Sequence, residues 1–230
     1  MAAIRFDIMT LFPELVDGIL AESIIGRARR AGIVEVVAHN IRDYSKDKFR
    51  RVDDTPYGGG KGMLMKPDPI CDCFDSITAG LEEKPYTVYM SPKGTVFTQA
   101  KAKELSKMKH IVILCGHYEG VDQRALDTIV DEEISIGDYV LTGGEVPATV
   151  LVDAVSRLVD GVLSDPECYE KESHSDSLLE YPQYTRPYEF RGMKVPDVLI
   201  SGHHENIDRW RLEKALEITK KNRPDLLKDR

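Results

Sequence analysis

At 230 residues the chain fits one large domain, or one medium domain with a small companion. An apolar share of 42% supplies a sizeable core, and no apolar run is long enough to span a membrane as a helix. The net charge of −8 excludes a protein that is basic throughout, the plainest kind of nucleic-acid binder.

The distribution of charge qualifies that exclusion. Between Arg27 and Arg51 eight Lys/Arg face three acids, and from Arg186 to Arg230 eleven face eight. Two basic islands on an acidic body suit phosphate contacts at particular places. The N-terminus has no basic stretch followed by a long apolar block, so no secretory leader is expected and the location reads as cytoplasmic. Cys71, Cys73, Cys115 and Cys168 are scattered. Only the first two are close, and Cys-x-Cys alone is a poor zinc signal, so free thiols in a reducing compartment are expected.

In chain order, residues 4–11 alternate and are rich in β-formers, a strand. Pro13 opens an amphipathic run to Gly32 that reads as one helix. Residues 34–41 form a second strand. The charged, glycine-rich stretch from Arg42 to Pro69 reads as a long loop, and loops of that length in a compact domain are usually functional or disordered. A short helix follows, ending at Gly80. Residues 86–91 are a strand, and 98–108 a helix with Thr98 as N-cap. Residues 110–116 are a near-continuous apolar strand of the kind covered on both faces in a parallel sheet. A helix over 121–130, a strand over 132–137 and a helix over 144–159, with Pro147 in its first turn, complete the alternation. Strands alternating with helices predict an α/β layer fold.

After Gly161 the character changes. Residues 162–177 read as a polar linker that orders only with a ligand. From 178 onward a small, mainly helical second domain is expected. Its first part, broken by Pro182, Pro187 and Pro196, should be irregular. Its last helix runs from Ile207 to before Pro224, with Trp210, Leu212, Leu216 and Ile218 on the apolar side.

Three glycine-bearing segments follow strands or precede helices: MSPKG (90–94), CGHYEG (115–120) and IGDYVLTGG (136–144). In a parallel sheet the carboxyl ends of the strands share one edge, so one ligand can meet all three. Glycine lets backbone approach a ligand where a Cβ would intervene. None holds the Lys-Ser/Thr pair of a triphosphate loop, and G-x-G-x-x-G is absent. Loops offering mostly N–H and C=O groups suit an adenine or a methionine-like moiety better than a phosphate chain.

YGGGKGMLMKPDP, CGHYEGVDQR, SIGDYVLTGGEVPA, DAVSRLVDGVL, LLEYPQYTRP and SGHHENIDRWR appear in that order. Together they resemble the bacterial tRNA (guanine-N1)-methyltransferase family, which modifies guanine 37 beside the anticodon. The resemblance runs from Ile4 to the end of the last helix. It implies an α/β domain of SPOUT type with a C-terminal trefoil knot, a topology that connection rules alone would reject. It implies a small, mainly helical C-terminal domain, joined through the linker. It also implies a homodimer with active sites at the subunit interface, tRNA as substrate and S-adenosyl-L-methionine as methyl donor. The donor-binding positions it implies are Tyr89, Met90 and Ser91 in the first loop, and Gly116, Tyr118, Glu119 and Gly120 in the second. In the third they are Ile136, Gly137, Tyr139, Leu141, Gly143, Gly144 and Pro147. The family is thought to depend on Mg²⁺, although no carboxylate cluster marks a metal site.

Guanine N1 carries a proton at neutral pH, so a base must remove it as the methyl arrives, and a carboxylate held beside N1 suits that task. Charge then builds on O6, where a fixed cation lowers the barrier. The resemblance assigns the cation to Arg157. The family's linker pattern, Asp-Ser-Phe, is not kept here. Counting without gaps between GVL (161–163) and LLEYP (178–182) places Glu172 at the base position, and Asp176 competes if the linker alignment slips. The resemblance brings Tyr57, Gly58, Gly59 and Gly60 to the target guanine, flanked by Arg50, Arg51 and Lys61. Tyr184 and Arg186 are RNA candidates in the second domain, with His203, Arg209 and Arg211 behind them. Two rivals remain: a non-catalytic RNA-binding protein that kept the fold, and a ribose 2′-O-methyltransferase.

Overall fold

The structure is a computed structural model, and it describes residues 2–164, 172–174 and 178–227. Asp176 and Cys168 lie outside the described residues, as does most of the expected linker. The chain divides into two compact units, Met1–Ser164 and Asp165–Arg230.

The first unit holds a five-stranded parallel sheet in the order β2-β1-β6-β5-β7. Its strands are β1 (Ile4–Thr10), β2 (Val34–Asn40), β5 (Tyr86–Val96), β6 (His110–Cys115) and β7 (Glu132–Ser135), numbered with two short strands described below. Ile4, Phe6 and Ile8 point to one face and pack with Val16, Leu20, Leu151 and Val155. Met9, Val112 and Leu114 point to the other and pack with Ile70, Cys73, Ala125 and Leu126. Burial on both faces explains the nearly unbroken apolar run of β6.

The helices are α1 (Pro13–Leu20), α2 (Ser23–Arg30), α3 (Pro67–Thr78), α4 (Gln99–Leu105), α5 (Gln123–Ile129) and α6 (Glu145–Ser156). The single helix expected over 13–32 is therefore two. The chain turns at Ser23, whose φ is +56°, and the Arg30 guanidinium donates to the Ala21 carbonyl at 3.1 Å, tying the second helix to the end of the first. Thr98 caps α4 as expected, its hydroxyl accepting from the Lys101 N–H. The long loop is more ordered than its composition suggests. It contains a 3-10 turn (Ile41–Tyr44) and a small antiparallel pair, β3 (Asp53–Asp54) with β4 (Leu64–Met65).

A carboxylate is buried in the second core face. Asp7 is fully buried on β1. It accepts from His39 Nε2 and His110 Nε2, each at 2.6 Å, and from Arg5 Nε at 2.7 Å. Arg5 also reaches Glu35 at 3.1 Å. Burial pushes the Asp7 carboxyl upward, but the hydrogen bonds from His39, Arg5 and His110 outweigh it, and the group is held well below the usual carboxylate range.

The second unit contains a two-stranded hairpin, β8 (Glu189–Phe190) with β9 (Met193–Lys194), and helices α7 (Asp197–Ile200) and α8 (His204–Asn222). The hairpin and α7 occupy the stretch expected to be irregular. The face of α8 also differs from the expected one. Ile207, Ala215 and Thr219 are buried, whereas Leu212 is 52% and Leu216 37% exposed. Thr219 fixes this rotation by donating to the Ala215 carbonyl at 2.7 Å and accepting from the Leu179 N–H at 2.9 Å.

Candidate functional site

At the irregularity in the middle of β5, where its pairing with β7 shifts register after Met90, and at the carboxyl ends of β6 and β7, the first unit forms a cavity of about 450 Å³. All the donor-loop positions expected from the sequence line it except Gly137. Gly137 instead shapes the third loop, where its N–H and C=O both bond the Ser135 hydroxyl.

Three contacts hold the loops together. Gly144 donates its N–H to the Gly116 carbonyl at 2.9 Å, and a Cβ on Gly144 would lie 2.7 Å from the Cys115 Cα. Backbone crosses backbone here, so no side chain fits. His117 pairs with Gly143 in an isolated antiparallel bridge. Glu145, only 3% exposed, accepts from the Thr10 hydroxyl at 2.8 Å and so ties the start of α6 to the end of β1. A carboxylate in the first turn of a helix is also favoured by the helix dipole.

The cavity floor includes Tyr89, whose hydroxyl is pushed up to about 12 by burial first and Glu133 second. It is a neutral hydroxyl at physiological pH. Leu126, Ile134, Ile136 and Leu141 give apolar walls, and Glu119 is an exposed carboxylate at the rim. Leu64, on β4, also lines the cavity, and nothing in the sequence reading pointed to it. It arrives because Met65 donates to the Gly120 carbonyl at 2.9 Å and Glu119 donates to the Met63 carbonyl at 3.0 Å. Gly62 abuts Glu119 so closely that a Cβ there would lie 2.5 Å from the Glu119 Cγ. The structure thus joins the glycine-rich loop holding Tyr57, Gly58, Gly59 and Gly60 to the second donor loop. Tyr57 at its tip is 99% exposed.

Arg157 does not line this cavity. It follows the last turn of α6 and lines a second hollow of about 380 Å³ with Ile19, Glu22, Val150 and Asp153. Glu172, Tyr184 and Arg186 belong to the second unit. There Tyr184 lies tilted against Trp210, with ring centroids 6.3 Å apart. The thiols of Cys71, Cys73 and Cys115 are free. Burial pushes Cys73 up to about 12 and Cys115 well above its ordinary value, so neither is a ready nucleophile. Among the described residues no three His, Cys, Asp or Glu side chains are grouped to hold a metal ion, and no helix is long and apolar enough to cross a membrane.

The family described as tRNA (Guanine-1)-methyltransferase TrmD matches residues 4–229. A tRNA (guanine-N(1)-)-methyltransferase of Ruminiclostridium cellulolyticum is 59% identical over 222 residues, covering 96% of this chain and 95% of its own. Proteins of the same name from Lachnospira eligens and Clostridioides difficile strain 630 are 56% and 54% identical, over 224 and 225 residues. Each spans 97% of this chain, and 95% and 97% of its own length respectively.

Proposed function

The chain belongs to the tRNA (guanine-N1)-methyltransferase family, and on that premise we propose that it moves the methyl group of S-adenosyl-L-methionine to N1 of guanine 37 of tRNA. The observation that supports this best is the convergence of three loops on one cavity, with the glycine-rich loop joined to its rim.

The residues suit such a donor. Glycine at 116 and 144 lets the backbone close on the cavity without a side chain, the apolar walls suit an adenine and a thioether chain, and the Glu119 carboxylate at the rim suits the donor's cationic groups. The donor supplies an electrophilic methyl on sulfur. The chain's own residues do the rest. Glu172, or Asp176 in its place, takes the N1 proton, and Arg157 holds the charge that develops on O6. The three loops fix the donor against the base, which is where much of the acceleration of a methyl transfer arises. We propose further that the stretch from Ile136 to Pro147 belongs to a trefoil knot. Support comes from the backbone crossing at Gly144 and Gly116 and from the packing of α6 on β1 and β6.

A homodimer follows from the same reading. Phe12 just before α1, Leu15 and Ile19 on α1, and Val146 and Val150 on the neighbouring α6 are each 41–49% exposed. An apolar stripe of that kind fits a second copy of the chain. Arg157 lies in the hollow beside it, so in a dimer it would serve a site shared between subunits. Val150→Asp should shift the chain to monomers in sedimentation analysis and abolish methyl transfer together; a dimer of normal activity would refute the assignment.

The function is tested by labelled methyl transfer to two tRNA transcripts that differ only in bearing guanine or adenine at position 37. Label is expected in the first alone. Equal labelling of both would overturn the reading.

A further inference from the structure

The loop from Ser45 to Arg51 is tightly stitched. Asp47 Oδ1 accepts from the Phe49 N–H at 2.7 Å, and the Asp47 carbonyl accepts from the Arg50 N–H at 2.9 Å. The Ser45 hydroxyl donates to the Arg51 carbonyl at 2.6 Å, closing the loop. The Arg51 guanidinium grips the Asp47 carboxylate, with its Nη2 at 2.9 Å. Arg50 takes a left-handed φ of +56° and pairs with Asp43 at 2.9 Å. Side chains of this type normally avoid that region, so the surrounding bonds impose it.

What this ordered loop presents is a phenyl ring in water. Phe49 is 73% exposed. Lys48 Nζ lies 5.7 Å and Arg51 Cζ 5.8 Å from its ring centroid. Holding a loop rigid around an aromatic that buries so little gives the fold almost no hydrophobic return. An exposed aromatic flanked by cations does match one kind of ligand. Unpaired nucleobases stack on aromatic faces, and Lys and Arg beside them reach the phosphates. The setting agrees. The loop lies in the basic island from Arg27 to Arg51, and two residues further on β3 begins the hairpin whose other strand, β4, bonds the rim of the donor cavity.

We propose that Phe49, with Lys48 and Arg51, is a stacking platform for an unpaired base of the RNA substrate, close to but separate from the target guanine. This rests on the reading of the chain as a tRNA methyltransferase. A protein partner is a poorer fit, since the groups flanking the ring are cations, and charged residues are depleted from the cores of protein interfaces.

Steady-state kinetics on the full chain with unmodified tRNA transcript tests it. Phe49→Ala should raise KM for tRNA about tenfold while leaving kcat and the affinity for S-adenosylhomocysteine within about twofold. Phe49→Trp should restore KM, which a merely structural role would not allow. Lys48→Ala should reduce the slope of log KM against log salt by about one. Unchanged KM in Phe49→Ala, with the parent chain active, would overturn the platform and leave the function standing. So would loss of dimer in Phe49→Ala, because the ring would then belong to a protein interface. Absence of any methyl transfer by the parent chain would remove the underlying reading and the platform with it.

Discussion

Replacing Glu172 with alanine should lower turnover at least roughly a hundredfold, within the range for loss of a general base, while donor binding stays nearly intact. The split between the two readouts is the informative part. A residue that removes the N1 proton acts after the donor has bound, so calorimetric titration with S-adenosylhomocysteine should be unaffected. Glu172→Asp, which restores the carboxylate one methylene shorter, should recover part of the rate. The same loss in Asp176→Ala, with Glu172→Ala near normal, would show that the linker alignment is shifted. Any rate surviving in both single variants but lost in the double variant would mean that the two carboxylates substitute for one another.

Asp7→Ala should be the most destabilising of the changes considered, at about 3–5 kcal/mol, the usual cost of removing one partner from a buried charged cluster. His39, His110 and Arg5 would lose their shared acceptor beneath the sheet. Chemical denaturation at neutral pH measures the loss directly. The pH dependence follows from the direction of the shift. Because the folded carboxyl is held below its unfolded value, its stabilisation is fully present above that value, about 4, and declines as the pH falls below it. The gap between the parent and Asp7→Ala should therefore be level near neutrality and shrink in acid. Methyl transfer at low temperature should survive, since Asp7 lies mid-strand on β1 and neither it nor its partners line the donor cavity.

The contrast between these two sites reflects how unevenly the sequence discloses the molecule. The strands were legible because apolar side chains on β6 must fill both faces of the sheet, which leaves an almost unbroken apolar run, and because β1 alternates and is rich in β-forming residues. The break between α1 and α2 was not. It depends on a left-handed Ser23 and on Arg30 reaching Ala21, contacts made only after the helices pack. The face of α8 was misjudged for a similar reason. Leucine at 212 and 216 suggested burial, yet the bonds through Thr219 set the rotation and leave both leucines exposed.

The cavity was partly legible. Glycines after β6 and before α6 pointed to one edge of the sheet, and that edge holds the cavity, whereas Gly94 falls inside β5, which continues to Val96 past the expected end at residue 91. Leu64 was hidden because β4 reaches the site through backbone bonds to Gly120, which no side-chain pattern encodes. The buried Glu145–Thr10 bond joins residues far apart in the chain, and only the fold brings them together. The knot and the roles of Arg157 and Glu172 came from family resemblance alone. A threaded path and a site shared between subunits leave no trace in local periodicity.

Mapping the methylated nucleoside by mass spectrometry, after reaction of the purified chain with unmodified tRNA and S-adenosyl-L-methionine, tests the central claim most directly. The account predicts a single 1-methylguanosine at position 37. A methyl group on a ribose hydroxyl, on another base, or on no nucleoside at all would contradict it.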